Sequence, residues 1–289
     1  MRSLLFVPGD SERKLEKSLA SGADVLILDL EDSVALSAKA AARETVAGFL
    51  RSRAGVPSPL LYVRVNDLST GLADDDLAAV VAARPAGIML PKANSADDVS
   101  LLSAKLRVCE AEAGLPDGAT RILPLITETP AGLLAAATHA RPNPRVAGLT
   151  WGAEDLSAAV GVQSARDDAG AYTHLFQHAR TMTLLAASAA GVAAVDTVFP
   201  DFRNEAGFRR ECVEAVRDGF VAKMAIHPAQ VPVINEVFTP SAEAVAHAEA
   251  VVAAFREAGD AGVIAIGGKM YDRPHLRLAE RLLGRGPAR

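Results

Sequence analysis

Aromatic residues are scarce in this chain of 289 residues, at 4%, with a single tryptophan. A core built almost without rings must be assembled from Ala, Leu, Val and Ile. With half of the chain hydrophobic, there is material for one large core. Cysteine is rarer still. Cys109 and Cys212 stand far apart and outside any Cys-x-x-Cys, which excludes a disulfide framework and points to reduced thiols in the cytoplasm. Positive charge is not in excess. Lys+Arg 30 against Asp+Glu 35 gives a formal charge of −5, with no basic block, so nucleic acid is not an expected partner. Long hydrophobic runs are missing too. After Met1 and Arg2, the run Leu4-Leu5-Phe6-Val7 breaks at Pro8-Gly9-Asp10, too short for a signal h-region or a membrane span.

What is present is an alternation. Apolar runs at Leu4–Val7, Val25–Leu30, Leu60–Val65, Gly87–Leu90, Ile122–Ile126, Val146–Leu149, Val192–Val198 and Ala222–Ile226 are separated by Ala-rich, helix-period segments. Those segments include Glu12–Ser21, Lys39–Arg53, Asp74–Ala83, Ala96–Ala113, Ala131–Ala140, Tyr172–Ala190 and Asn204–Asp218. Buried parallel strands read as continuous hydrophobic runs, and βα alternation implies a parallel sheet. Eight such units predict an α/β fold, a (β/α)8 TIM barrel over residues 1–235, close to the usual length of about 250 residues. An open doubly wound sheet is disfavoured, because no Gly-x-Gly-x-x-Gly turn follows the first strand.

From residue 236 the pattern changes. Ser241 caps a helix to Ala258, a glycine-rich loop follows (Gly262, Gly267, Gly268), and a basic helix runs from His275 to Leu283. Residues 236–289 are expected to form a helical lid or oligomerisation arm, since some fifty residues make a marginal core. The last six residues are expected to fray.

Reactive groups in such a barrel gather at the C-terminal ends of the strands. There the sequence places Pro8-Gly9-Asp10, Asp29-Leu30-Glu31-Asp32-Ser33, Arg64-Val65-Asn66, Pro91-Lys92, Thr127-Glu128-Thr129, Trp151-Gly152-Ala153-Glu154-Asp155 and His227-Pro228. Acids ending greasy strands are costly unless compensated, and a divalent cation is the usual compensation. Glu128 and Asp155 are the expected metal ligands. Two carboxylates, with water and substrate oxygens in the other positions, suit Mg2+; zinc would want His or Cys, and no pair at ligand spacing occurs. Spacing alone does not say which of Glu154 and Asp155 binds metal and which caps the following helix.

Arg64 sits inside an apolar strand, and its planar fork suits a carboxylate or a developing enolate oxygen. A salt bridge to Glu31 or Asp32 is the structural alternative, and the two roles can coexist. Strand alternation sends Asp29 and Glu31 to one side, and the turn after Leu30 is free to redirect Asp32. Lys14, Lys39 and Arg43 lie on helices starting just after strands one and two, where a phosphate-bearing ligand would cross the rim; solvated helix charges are the equal alternative. His227 reads as a structural histidine.

Taken together, several segments resemble the citrate lyase β-subunit-like family within the HpcH/HpaI aldolase and malyl-CoA lyase group. They are Leu5-Phe6-Val7-Pro8-Gly9, Leu28-Asp29-Leu30-Glu31-Asp32-Ser33-Val34 with Lys39 and Arg43, Val63-Arg64-Val65-Asn66, Leu90-Pro91-Lys92, Glu128-Thr129, Trp151-Gly152-Ala153-Glu154-Asp155-Leu156, Ile226-His227-Pro228 and Lys269-Met270-Tyr271-Asp272. Singly they are weak; in this order they are specific. The resemblance implies a Mg2+-dependent enzyme handling acyl-CoA thioesters, often a homotrimer. By analogy Glu128 and Asp155 bind the metal, Arg64 contacts the substrate carbonyl or enolate, and Glu31 and Asp32 shape the metal's surroundings. Lys14, Lys39 and Arg43 would approach coenzyme A. Asp272 matches the acid/base of a C-terminal arm that reaches a neighbouring subunit's site, a role that rests on the resemblance alone.

Two departures narrow the expectation. Pyruvate aldolases of the group carry a Glu-His pair where this chain has Glu31-Asp32, so a histidine base is missing. Citrate lyase β subunits generally lack the Trp-Gly-Ala-Glu-Asp-Leu form, which makes the stand-alone enzymes look closer. The expected activity is a lyase that cleaves a malyl-CoA- or citramalyl-CoA-type thioester to an acyl-CoA and glyoxylate or pyruvate, a small 2-oxo acid. A malate-synthase-like or thioesterase activity is the nearest alternative. A carrier-dependent β subunit of a citrate-lyase-like complex is the other. A homo-oligomer, trimer or hexamer, is expected.

Overall fold

The apolar runs become strands because their side chains are covered on both faces. A computed structural model describes residues 1–284. Two compact units divide the chain, Met1–Asn235 and the segment from Glu236 onward. In the first unit the order is β1 (Ser3–Pro8), α1 (Glu12–Ser18), β2 (Val25–Asp29), α2 (Lys39–Ser52), β3 (Leu60–Arg64), α3 (Ala73–Val80), β4 (Gly87–Leu90) and α4 (Ala96–Glu112). It continues with β5 (Arg121–Pro124), α5 (Pro130–Ala135), β6 (Gly148–Thr150), α6 (Ala153–Val160), α7 (His174–Ala190), β7 (Ala193–Asp196), α8 (Glu205–Asp218) and β8 (Ala222–Ala225), and α9 (Gln230–Val237) begins in it and ends two residues past its boundary.

The eight strands lie parallel in the order β5-β4-β3-β2-β1-β8-β7-β6. The two ends meet: the Ile122 amide donates to the Arg145 carbonyl, Ala147 to Ile122, and Ile126 to Thr150, which closes the barrel. This is the TIM-like (β/α)8 barrel that the alternation predicts. β2 is buried at every position, and β4 and β8 likewise, as strands sandwiched between a filled interior and a helical layer must be.

Alternation along each strand sorts the side chains. Leu4, Ile27, Tyr62, Met89, Leu123, Val195, Ala222 and Met224 share the inner core. Their neighbours face the helices, and on β7 and β8 two of those are charged. Lys223 is 0% exposed and lies 2.9 Å from Asp196 and 2.8 Å from Glu211 of α8. The sequence reading treats β8 as apolar and does not expect this buried ion group. Its charges are compensated: Asp196 also accepts from Trp151 Nε1 at 2.8 Å and lies 3.3 Å from Arg180.

The list of helix-period segments holds neither α6, expected only as the helix that Glu154 or Asp155 would cap, nor α9; each is eight residues long. The segment read as one helix to Ala140 leaves α-geometry at Ala135 and finishes as 3-10 turns.

The second unit has its own small apolar cluster. α10 (Ala242–Glu257) presents Ala248, Val251 and Phe255 to Ala279 of α11 (Arg273–Leu283). Between them, β9 (Val263–Ile266) and β10 (Lys269–Asp272) form an antiparallel hairpin where the sequence reading expects a loop. Gly267 and Gly268 make its two-residue turn with φ of 55° and 79°, the left-handed pair that such tight hairpins require. The terminal segment expected to fray lies, from residue 285, outside the described residues. No helix among the described residues is long and apolar enough to cross a membrane.

Candidate active site at the barrel mouth

The inner face of the strands ends in a cavity of about 430 Å3 at the C-terminal mouth, bordered by Phe6, Asp29, Arg64, Glu128, Asp155 and Met224 among others. Inward alternation delivers these groups: Leu4 leads to Phe6, Ile27 to Asp29, and Tyr62 to Arg64. A larger polar cleft of about 980 Å3 lies beside α7 and α8, but none of the expected catalytic, coenzyme-binding or metal residues lines it.

Each guanidinium nitrogen of Arg64 meets a carboxylate oxygen, which leaves further N–H groups on Nη1 and Nη2. Its Nε and Nη2 each donate to Asp29 at 2.7 Å, its Nη1 lies 2.6 Å from Glu31 Oε2, and Asp32 stands at 3.7 Å. The guanidinium also sits 4.9 Å from the Phe6 ring centre. Burial opposes its charge, but the Asp29 and Glu31 carboxylates overcome this and raise its pKa further. Asp29 responds oppositely: burial pushes its carboxyl up, and Arg64 draws it below the usual range. The salt-bridge alternative is therefore present, with Asp29 as the leading partner. Arg64 still borders the cavity.

Lys92 is the residue that the sequence reading leaves without a role. It follows β4 with φ of +50°, a left-handed backbone that non-glycine residues seldom adopt. That turn aims two groups at the acids. Its amide donates to Glu128 Oε2 at 2.7 Å, while its ammonium bonds Glu31 Oε1 and lies 3.2 Å from Asp155 and 3.8 Å from Asp32. A strained backbone at a strand end is invisible in the spacing of Pro91-Lys92.

Glu128 and Asp155 come together at this mouth. Glu128 is 4% exposed, and its pKa is pushed up to about 8 by burial first and by Asp155 second, against the Lys92 amide. Glu31 is raised for the same first reason, with Arg64 and Lys92 opposing. A Cβ on Gly152 would fall 2.8 Å from Glu128 Oε1, so only glycine leaves that carboxylate its place. These features fit a small divalent cation: a buried acid lacking full compensation, a second acid beside it, and room kept around the oxygens. Among the described residues no cluster of three or more His, Cys, Asp or Glu side chains forms a cage. The pair would rely on water and substrate oxygens for the other positions. Neither Glu154 nor Asp155 caps α6. The N-cap is Gly152, without a side-chain bond, and both acids lie in the first turn, where the helix dipole favours them.

The three cations expected near a coenzyme differ in their surroundings. Lys14 is exposed on α1. Lys39 donates to the Leu30 and Glu31 carbonyls at 2.8 Å each, which pins the turn carrying Glu31 and Asp32. Arg43 pairs with buried Asp76 at 2.7 Å, and Asp76 accepts from the Asn66 amide and side chain. Lys39 and Arg43 thus hold the ends of β2 and β3. His227 stacks on Phe202 at 4.4 Å and accepts from the Ala229 amide, a structural arrangement.

Asp272, in the second unit, is the N-cap of α11 in a reciprocal box with His275, whose Nδ1 lies 2.5 Å from Asp272 Oδ1. The His275 bond holds its carboxyl below the usual range.

Comparison with known proteins covers nearly the whole chain. The HpcH/HpaI aldolase/citrate lyase family model matches residues 2–228. A "citrate lyase subunit beta-like protein" of Mycobacterium tuberculosis is 38% identical over 97% of this chain and 94% of its own length. A "(3S)-malyl-CoA thioesterase" of Cereibacter sphaeroides is 35% identical over 99% and 95%. A crystal structure of CitE from M. tuberculosis, in complex with magnesium, acetoacetate and coenzyme A, superposes with TM-score 0.76 at 36% identity, covering 98% of this chain and 97% of that one.

Proposed function

The chain belongs to the HpcH/HpaI aldolase/citrate lyase family, and from that premise we propose that it is a Mg2+-dependent carbon–carbon lyase acting on a malyl-CoA- or citramalyl-CoA-type thioester. The products would be an acyl-CoA and glyoxylate or pyruvate. The observation carrying this reading is the placement of buried Glu128 beside Asp155 in the same cavity as Arg64. The similar M. tuberculosis structures with magnesium and coenzyme A, and with magnesium and pyruvate, support it.

In this reading Glu128 and Asp155 hold the cation, whose Lewis acidity lowers the cost of negative charge on the substrate hydroxyl. Scission of the carbon–carbon bond leaves its electron pair on the thioester side as an enolate. Arg64 stabilises that oxygen, with Asp29 and Glu31 fixing the guanidinium plane. Glu31 and Asp32, braced by Lys39, set the field around the metal pair, and Lys14 at the rim offers charge to the coenzyme's phosphates. Asp272, whose contact with His275 favours the carboxylate, is suited to accept a proton. In cleavage it would take the substrate hydroxyl proton and, as the resulting acid, deliver it to the enolate carbon. The reverse, Claisen-type condensation would run both transfers backwards.

The similarity to a thioesterase supports a second reading, hydrolysis to free malate and CoA. The test is turnover of malyl-CoA with product analysis, by the protein purified alone. Glyoxylate and acetyl-CoA support the lyase, free malate the thioesterase, and no turnover of free CoA esters a carrier-dependent β subunit. Glu128→Ala or Asp155→Ala should abolish activity. Substantial turnover by the wild type without added metal would overturn the metal assignment.

A further inference from the structure

β7 is the one strand whose end the sequence reading leaves without chemistry. Val195 faces the inner core and Asp196 faces outward to Trp151, Arg180 and Lys223. Thr197 must then face inward again, one layer nearer the mouth. It borders the active-site cavity, it is 0% exposed, and its hydroxyl has no hydrogen-bond partner among the described residues. Leaving a buried hydroxyl unpaired costs free energy that native proteins rarely accept without a use for the group.

Two carboxylate or hydroxyl oxygens nearby share that state and are explained differently. Glu31 Oε2 faces Arg64 Nη1 at 2.6 Å, and Thr127 does not border the cavity. The Thr150 hydroxyl is directed at Met224 Sδ, 3.7 Å away. Apolar Leu125, Val198, Met224 and Ile226 border the same cavity. A hydroxyl set among apolar groups opposite Arg64 can fix one oxygen of a small ligand. The cavity, at about 430 Å3, has room for the oxo-acid portion of a thioester substrate.

We propose that Thr197 is a substrate-contact residue that selects the 2-oxo-acid portion, its hydroxyl donating a hydrogen bond to a carboxylate or keto oxygen while the apolar wall accepts the carbon substituent. This rests on the lyase reading above. A site built to hydrogen-bond a ligand oxygen discriminates strongly, because its own polar group is otherwise left unpaired.

The test uses the full-length protein loaded with Mg2+. Dissociation constants for pyruvate and glyoxylate are measured by calorimetry for wild type, Thr197→Val and Thr197→Ser, together with ligand-free melting midpoints. The isosteric Thr197→Val should bind both oxo acids about ten- to a hundredfold more weakly, and Thr197→Ser within about threefold of wild type. Without ligand, Thr197→Val should melt no lower than wild type, since it loses an unpaired polar group. Wild-type affinity in Thr197→Val, or a clearly lowered melting midpoint, overturns the role of Thr197 and leaves the lyase reading standing. Wild-type protein that binds neither acid overturns both.

Discussion

Arg64 on β3 forks onto Asp29 on β2 with both N···O distances at 2.7 Å, and the two residues are paired in the strand register. Asp29 is buried and Arg64 is its charge partner, so losing the pair is costly. Asp29→Ala should lower unfolding free energy by about 3–5 kcal/mol in urea titrations, the cost of breaking a buried bidentate pair and leaving Arg64 to Glu31. A loss below about 1 kcal/mol would mean that Glu31 alone holds Arg64.

Gly152 decides where Glu128 can sit. Its backbone, at φ −130° and ψ 129°, suits any residue, so Gly152→Ala should fold normally. The added Cβ meets Glu128 Oε1 at 2.8 Å and Cγ at 2.9 Å, which forces the carboxylate to move. Mg2+ affinity measured by calorimetry should fall about ten- to a hundredfold, as for other changes that misorient a metal ligand. Unchanged affinity would remove Glu128 from the metal site.

Away from the mouth, Glu110 on α4 links the chain's stability to acid pH. Burial raises its pKa, but Arg145 at 2.6 and 2.8 Å and the Thr120 and Gly118 amides override this and hold it at about 2. A depressed folded-state pKa gives stability that is complete above the ordinary value of 4.5 and is lost as pH falls toward 2. The contribution is about 3 kcal/mol. The stability difference between wild type and Glu110→Gln should therefore be constant above pH 5 and shrink between pH 4.5 and 2. A difference that does not change over that range would contradict the assignment.

Asp272 tests whether the second unit serves catalysis. Asp272→Ala should keep Mg2+ and oxo-acid binding while turnover drops about a hundredfold or more, the usual worth of a positioned acid/base. If the acid is supplied to a neighbouring copy, mixing Asp272→Ala with Arg64→Ala protein should restore part of the activity. No recovery after subunit exchange would place Asp272 outside a shared site.

How far the sequence could be read depended on the range of each signal. Continuous apolar runs are local, so β1 to β8 and the barrel follow from them, as does the gathering of acids at strand ends. Arg64 stands out because it interrupts the apolar run from Leu60 to Val65. The preference of Arg64 for Asp29 over Glu31 and Asp32 was not legible, since it depends on register between strands 35 residues apart in sequence. Lys92 was hidden because its role comes from a left-handed turn, and Thr197 because a threonine after an apolar strand carries no charge to notice. The β9–β10 hairpin did have a signal: Gly267-Gly268 directly after the short apolar run Val263–Ile266.

Lys92 and a metal ion would neutralise the same acids, which makes their effects reciprocal. The Lys92 ammonium bonds Glu31, lies 3.2 Å from Asp155 and is 22% exposed. Lys92→Met keeps the stem and deletes the charge, leaving Glu31, Glu128 and Asp155 to repel one another. In a chelator, the variant should lose about 2 kcal/mol, roughly 5 °C in melting midpoint, less than a fully buried pair would because water screens this one. Saturating Mg2+ should recover most of that deficit. By linkage, Lys92→Met must then bind Mg2+ more tightly than wild type, about tenfold for each 1.4 kcal/mol recovered. An equal deficit with and without Mg2+ would show that the ion and Lys92 answer to different carboxylates.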